Sequence, residues 1–184
     1  MGHHGEMEAR SEPTAVLKER AEEEAAAYAS RADDRRPLGG YLGLLGIYLL
    51  YVGTLAAIVR WRRPLLPERV EGRDLALLAI ATHKVSRIAT KDAVTSPLRA
   101  AFTSFSGPAG VGEVNEEVRG EGLRHAVGEL VTCPFCFGQW VATFLVFSYL
   151  LAPRATRLVS AVFTVVAGSD LMQVFYAKGQ QIVE

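Results

Sequence analysis

Two groups of residues carry the chemistry this sequence can offer. The first is Thr132-Cys133-Pro134-Phe135-Cys136, which holds both cysteines of the chain. At a helix N-terminus, where the dipole favours thiolate, such a pair can form a disulfide, bind a soft metal or stay as buried structural thiols. A structural zinc site takes about four ligands, so His125 and His83 would have to complete it. His125 stands eight residues before Cys133, whereas His83 sits deep in its own helix. A thioredoxin-like reading would need a strand-helix-strand context that is not visible here. Zinc is the one cofactor these residues could take, and none is otherwise expected. The second group centres on Asp170, an acid inside an otherwise uncharged run, and on Lys84, Arg87 and Lys91, which share one face of an earlier helix. An acid held in hydrocarbon calls for a partner, and the spacing predicts Asp170 paired with Arg87 or, one face over, Lys84. A structural ion pair and a proton or ion relay both fit. Nothing resembles a Ser-His-Asp set, a phosphate-binding glycine loop or a paired-carboxylate site.

The elements that must position these groups follow from charge and hydropathy. Of the 184 residues, 20 are basic and 20 acidic, and 49% are apolar. That balance excludes a basic nucleic-acid binder, and two cysteines exclude a disulfide-stapled secreted miniprotein. Residues 38–59 hold no charge over 22 positions. About 20 apolar residues at 1.5 Å rise cross a hydrocarbon core of roughly 30 Å, so this is a first transmembrane helix. Its Gly39 and Gly43 have the small-xxx-small spacing that lets another helix approach. The run is longer and starts later than a signal-peptide core, so it is expected to stay in the protein. Before it, residues 1–37 form a polar tail, partly helical from Ser11 and Pro13, with His3 and His4 too few for a metal tag. Residues 129–152 form another span. Residues 158–178, interrupted by Asp170, should still insert, because about ten large apolar residues at roughly 0.3 to 0.6 kcal/mol each offset one central acid costing about 3.

Residues 75–94 are amphipathic and cationic. Two central cations cost about 5 to 7 kcal/mol against about 3 recovered from the Leu, Ile and Val side chains, so this helix crosses only inside a bundle or else lies in the headgroup layer. Residues 60–74, 95–128 and 153–157 are loops. The fold class is all-α, a small helical membrane bundle of three to four transmembrane helices. With four spans and the N-terminus inside, the 20 basic residues divide 13 inside to 7 outside; with residues 75–94 in the interface and the N-terminus outside, the division is 12 to 8. The Arg60, Arg62, Arg63 cluster locally favours the second. The four-span arrangement is preferred because it supplies Asp170 with a partner, and it puts both termini and the 95–128 loop in the cytoplasm of a cell-membrane protein.

The run Ala81-Thr82-His83-Lys84-Val85-Ser86-Arg87, then Thr90-Lys91-Asp92, Val94-Thr95-Ser96-Pro97-Leu98-Arg99-Ala100, Gly128-Glu129-Leu130 and Cys133-Pro134-Phe135-Cys136 with Gly138 and Trp140, resembles the bacterial DUF1360 family. Ser169 and Asp170 look like the same pattern. The resemblance covers roughly residues 72–178. It implies a three-helix membrane module of no assigned activity, labelled in some members as sporulation protein, here preceded by an extra span and tail. Ala101 departs from it where proline is expected. The family supplies no catalytic residues.

Three functions compete. One is a non-enzymatic structural or assembly protein in the lipid bilayer, whose inner loop with Lys91, Asp92, Thr95, Pro97, Arg99 and Arg124 contacts a membrane or cytoplasmic protein partner or anionic lipid. Another is a thiol-redox or metal-dependent membrane protein using Cys133 and Cys136. The third is a small transporter using Asp170, which with so few helices would act as a homo-oligomer. No nucleic-acid partner is expected.

Overall fold

The structure, a computed structural model, describes residues 13–28, 37–63 and 69–183. Ser11, His3 and His4 lie outside the described residues. The chain divides into two units, residues 1–38 and 39–184. In the first, α1 (Pro13–Tyr28) starts on a proline, whose fixed φ and missing N–H suit the first helical turn. Lys18 and Glu22 sit one turn apart on its solvated surface, 3.9 Å from each other.

The second unit runs α2 (Leu38–Arg62), α3 (Gly72–Lys91), a 3-10 turn (Ala93–Thr95), α4 (Ser96–Arg99), β1 (Thr103–Gly110), β2 (Glu113–Val118), α5 (Gly122–Thr132), α6 (Pro134–Leu151) and α7 (Pro153–Val183). Three helices are long and apolar enough to cross a membrane: α2 with 25 residues, α6 with 18, and α7 over the 29 residues Pro153–Gln181. The cations of α3 keep it out of that set, yet α3 packs along both α6 and α7. Leu78 and Ala81 of α3 form the core with Val141, Leu145 and Tyr149 of α6, and Phe163 of α7 closes against them.

Contacts fix the helix directions. Asp74 meets Arg157, the Leu77 carbonyl accepts from Thr164, and Lys84 meets Asp170, so α7 runs alongside α3 in the same sense. Asp74 also meets Tyr149, while Gly138 lies against Ser86 and Thr82, so α6 runs the opposite way. Tyr41 donates to Glu129 and Tyr48 pairs with Thr143, so α2 follows the direction of α5 and α6.

The elements differ from the sequence expectation in four places. The helix expected over 129–152 is broken at Cys133, whose backbone is extended (φ −105°, ψ 107°). Steric conflict with a following proline drives the preceding residue out of the α region, and Pro134 then opens α6. The 153–157 loop is absorbed into α7, again because a proline, Pro153, begins the helix. The 95–128 loop is folded: β1 and β2 pair antiparallel, and α5 follows. Lastly, the close-approach glycines of α2 are Gly40 and Gly43. A Cβ on Gly40 would run into the Gly122 backbone and one on Gly43 would touch Leu123, whereas Gly39 faces open space.

Candidate functional site

The residues singled out in the sequence fall at two levels of this bundle and in one cap. The cap is organised by Arg99. Helix α3 stops where Asp92 turns extended (φ −64°, ψ 139°), leaving its last carbonyls without intrahelical donors. Thr95 supplies one, its hydroxyl donating to Ile88 O at 2.6 Å and Asp92 O at 2.9 Å. Pro97 stands in the first turn of α4, which returns Arg99 beneath the helix end. Its Nη1 donates to Ala89 O at 2.8 Å and the Thr95 hydroxyl at 2.6 Å, and its Nη2 to Asp92 O at 3.0 Å and the Ser96 hydroxyl at 3.2 Å. Nε donates to Glu116 Oε2 at 2.5 Å. Every guanidinium N–H has an acceptor. Arg99 is 1% exposed and Glu116 6% at the side chain, so the expectation that Arg99 reaches a partner or lipid is corrected: it is consumed inside the fold.

The other cations near the cap also hold it together. Arg87 grips Glu113 of β2 with two bonds, 2.9 and 2.6 Å. The Ala93 N–H donates to Gly112 O at 2.9 Å, and Gly112 takes the left-handed conformation (φ +77°) that a hairpin tip needs. Arg124 donates to Ala101 O at 2.6 Å and Arg119 to Ala100 O, pinning the corner before β1 where Ala101 replaces the expected proline. Gly128 of α5 accepts this packing, since a Cβ there would strike Val118 and the Phe102 carbonyl.

Within the bundle, Lys84 Nζ lies 2.6 Å from Asp170 Oδ2. Arg87, the other expected partner, is engaged by Glu113 instead, because the hairpin folds back over its end of α3. Lys84 is 16% exposed at its side chain and Asp170 48%.

At the opposite end of α3 stands a network the sequence did not reveal. Asp74, 3% exposed, accepts from Tyr149 Oη at 2.6 Å and from Arg157 Nε and Nη2 at 2.9 and 2.7 Å. Arg157 also lies over the Tyr149 ring. Asp74 fell at the edge of a presumed loop, and Arg157 in another. The only signal was that each lies within one turn of a helix start, where three helix ends can share polar groups. A second interhelical cluster ties α2 on: Trp140 sits edge-on to Tyr48 at 5.0 Å and stacked with Tyr51 at 5.4 Å, while Gln139 donates to Tyr48 Oη.

Cys133 is the N-cap of α6, and Cys136, one turn on, donates its backbone N–H to Cys133 Sγ at 3.3 Å. Both thiols are free, Cys133 half-buried and Cys136 exposed. Burial pushes the Cys133 thiol up, but hydrogen bonds from the Cys136 side chain and backbone and from the Phe135 N–H, with the charge of Lys91, outweigh it and hold the thiol below its ordinary value. The four-ligand zinc set is not assembled. His125 bonds the Gly120 carbonyl and approaches Glu129 at 3.5 Å, and His83 is exposed on α3. Among the described residues no three His, Cys, Asp or Glu side chains are grouped to hold a metal.

Residues 77–176 match the family described as "Protein of unknown function (DUF1360)". The chain belongs to this family. The DUF1360 match therefore takes in α3 from its second turn, the Arg99 cap, the cysteine pair and α7 through Tyr176. The chain is also similar to "Sporulation protein YjcA" of Bacillus subtilis (strain 168), 25% identical over 115 residues, which is 61% of this chain and 98% of that protein. No solved structure matches.

Proposed function

We propose that this DUF1360 protein is a non-enzymatic, multi-pass membrane protein in which α2, α3, α6 and α7 all cross the bilayer, and that its folded cap is a platform for assembling a protein partner. The observation that carries the reading is the placement of α3. It is paired to α6 from Asp74–Tyr149 at one end to Ser86 against Gly138 at the other, so it occupies the same depth as a helix of spanning length. Its amphipathic face and cations are turned to protein partners, Lys84 to Asp170 and Arg87 to Glu113. That removes the cost that keeps such a helix out of lipid on its own. The alternating directions of the four helices then leave the cap and the end of α7 on one side, taken as cytoplasmic with the N-terminus. Asp170 tied to Lys84 is a fastening between helices, in keeping with an assembly role.

The relative's name, a sporulation protein, makes a membrane event of sporulation the setting in which to look for the partner. The cap offers Phe105 and Val111, both large, apolar and exposed on the hairpin. Deleting the hairpin would leave Arg99 buried without Glu116, so the clean test is substitution at the surface. Phe105→Ser with Val111→Ser should leave the protein in the membrane and remove its co-purifying partner. Unchanged partners would count against the platform. The topology is tested separately by single cysteines at positions 63 and 111 in a cysteine-free background, labelled by an impermeant maleimide. Labelling of both from the same side of the vesicle would refute four spans.

A further inference from the structure

The geometry points to Cys133 and Cys136 as a thiol–disulfide exchange site that reacts with a low-molecular-weight disulfide. The pair goes beyond the assembly role and does not depend on which face of a membrane it occupies.

Cys133 is the N-cap of α6 and Cys136 its third helical residue, so their side chains emerge on the same side of the first turn. Pro134 between them needs no hydrogen-bond donor at the first helical position and fixes the turn on which both thiols sit. The backbone N–H of Cys136 points at Cys133 Sγ, and Lys91, at the end of α3, is the nearby cation. No metal-binding group competes for the sulfurs among the described residues. Cys136 is exposed and Cys133 half-buried, so the pair is open to a small disulfide.

The reaction balances as two exchanges. The Cys133 thiolate attacks one sulfur of the external disulfide, forming a mixed disulfide, and the other sulfur leaves as a thiolate that takes a proton from solvent. Cys136, losing its proton to solvent, then attacks Cys133 Sγ, the mixed S–S bond breaks, and the second external thiol leaves. Two protein thiols are oxidised by two electrons to one disulfide, and one external disulfide is reduced to two thiols. Cys133 is the entry sulfur because the helix N-terminus stabilises its anion, and Cys136 is the resolving one.

The test uses the full chain purified in detergent, equilibrated in reduced and oxidised glutathione at graded ratios, acid-quenched and tagged with a heavy maleimide. The two tags should be lost together, with no singly tagged species accumulating, and regained on reduction. In Cys136→Ser, glutathione should be trapped on Cys133. In Cys133→Ser, its capture by Cys136 should be slower by about tenfold or more. A wild-type protein that keeps both tags at every ratio overturns the inference without any substitution. So does stepwise loss of the tags, or faster glutathione capture by Cys136 than by Cys133.

Discussion

Arg99 and Glu116 stand 17 residues apart and meet at 2.5 Å where almost no solvent reaches either. This contact joins the end of α3, the short α4 and the second strand into one cap. Taking away one member of a buried ion pair leaves an uncompensated charge and costs about 3 to 5 kcal/mol. Glu116→Ala should therefore loosen the hairpin by about that amount, seen as faster proteolysis between Thr103 and Val118, with the helical content retained.

Lys84 and Asp170 form the second fastening. Neutralising either alone, as Lys84→Met or Asp170→Leu, should destabilise the detergent-solubilised protein more than neutralising both. A double-mutant cycle on thermal unfolding should return a coupling of about 0.5 to 3 kcal/mol. Additive single effects would mean that the two charges do not support each other.

Gly40 and Gly39 are neighbours with opposite surroundings, one pressed on the Gly122 backbone and the other open. Gly40→Ala should cost about 1 to 3 kcal/mol through overpacking, while Gly39→Ala should be neutral or slightly stabilising, since alanine is the better helix former. Unfolding temperatures of the two variants, measured side by side, check this.

Ser160 on α7 is fully buried, and its hydroxyl is the one buried side-chain polar atom without a partner among the described residues. Replacing an unsatisfied hydroxyl by hydrogen removes a desolvation penalty of about 1 to 3 kcal/mol. Ser160→Ala should raise the unfolding temperature rather than lower it.

Cys133 has a thiol held below its ordinary value. A thiol whose pKa is lowered stays ionised as pH falls until that lower value is crossed. The pH midpoint for alkylation of Cys133 by iodoacetamide, resolved from Cys136 by peptide mass spectrometry in the wild-type protein, should thus lie below that of an unperturbed cysteine thiol measured in the same buffer. A midpoint at or above it would remove the helix-end stabilisation of the thiolate.

The sequence by itself determined the helical class, the apolar helices α2, α6 and α7, and the amphipathic, cationic nature of α3. Hydropathy and periodicity are local properties, and a run such as residues 38–59 has no other stable form in lipid. The break that Pro134 causes at Cys133 is a local signal hidden beneath the apolar run, which reads as one helix over residues 129–152. Only the tertiary structure decided which charges meet. Arg87 and Lys84 lie within one turn of each other on one helix, and Asp170 could take either until the hairpin claimed Arg87 through Glu113. The hairpin itself was hidden because β1 and β2 bury little and alternate weakly, being held by the guanidinium of Arg99 and by helix ends rather than by an apolar face of their own. The same holds for Asp74, Tyr149 and Arg157, which come together because three helix ends converge at one level of the bundle. Pairing between distant residues depends on where the chain returns in space, and no local pattern encodes that return.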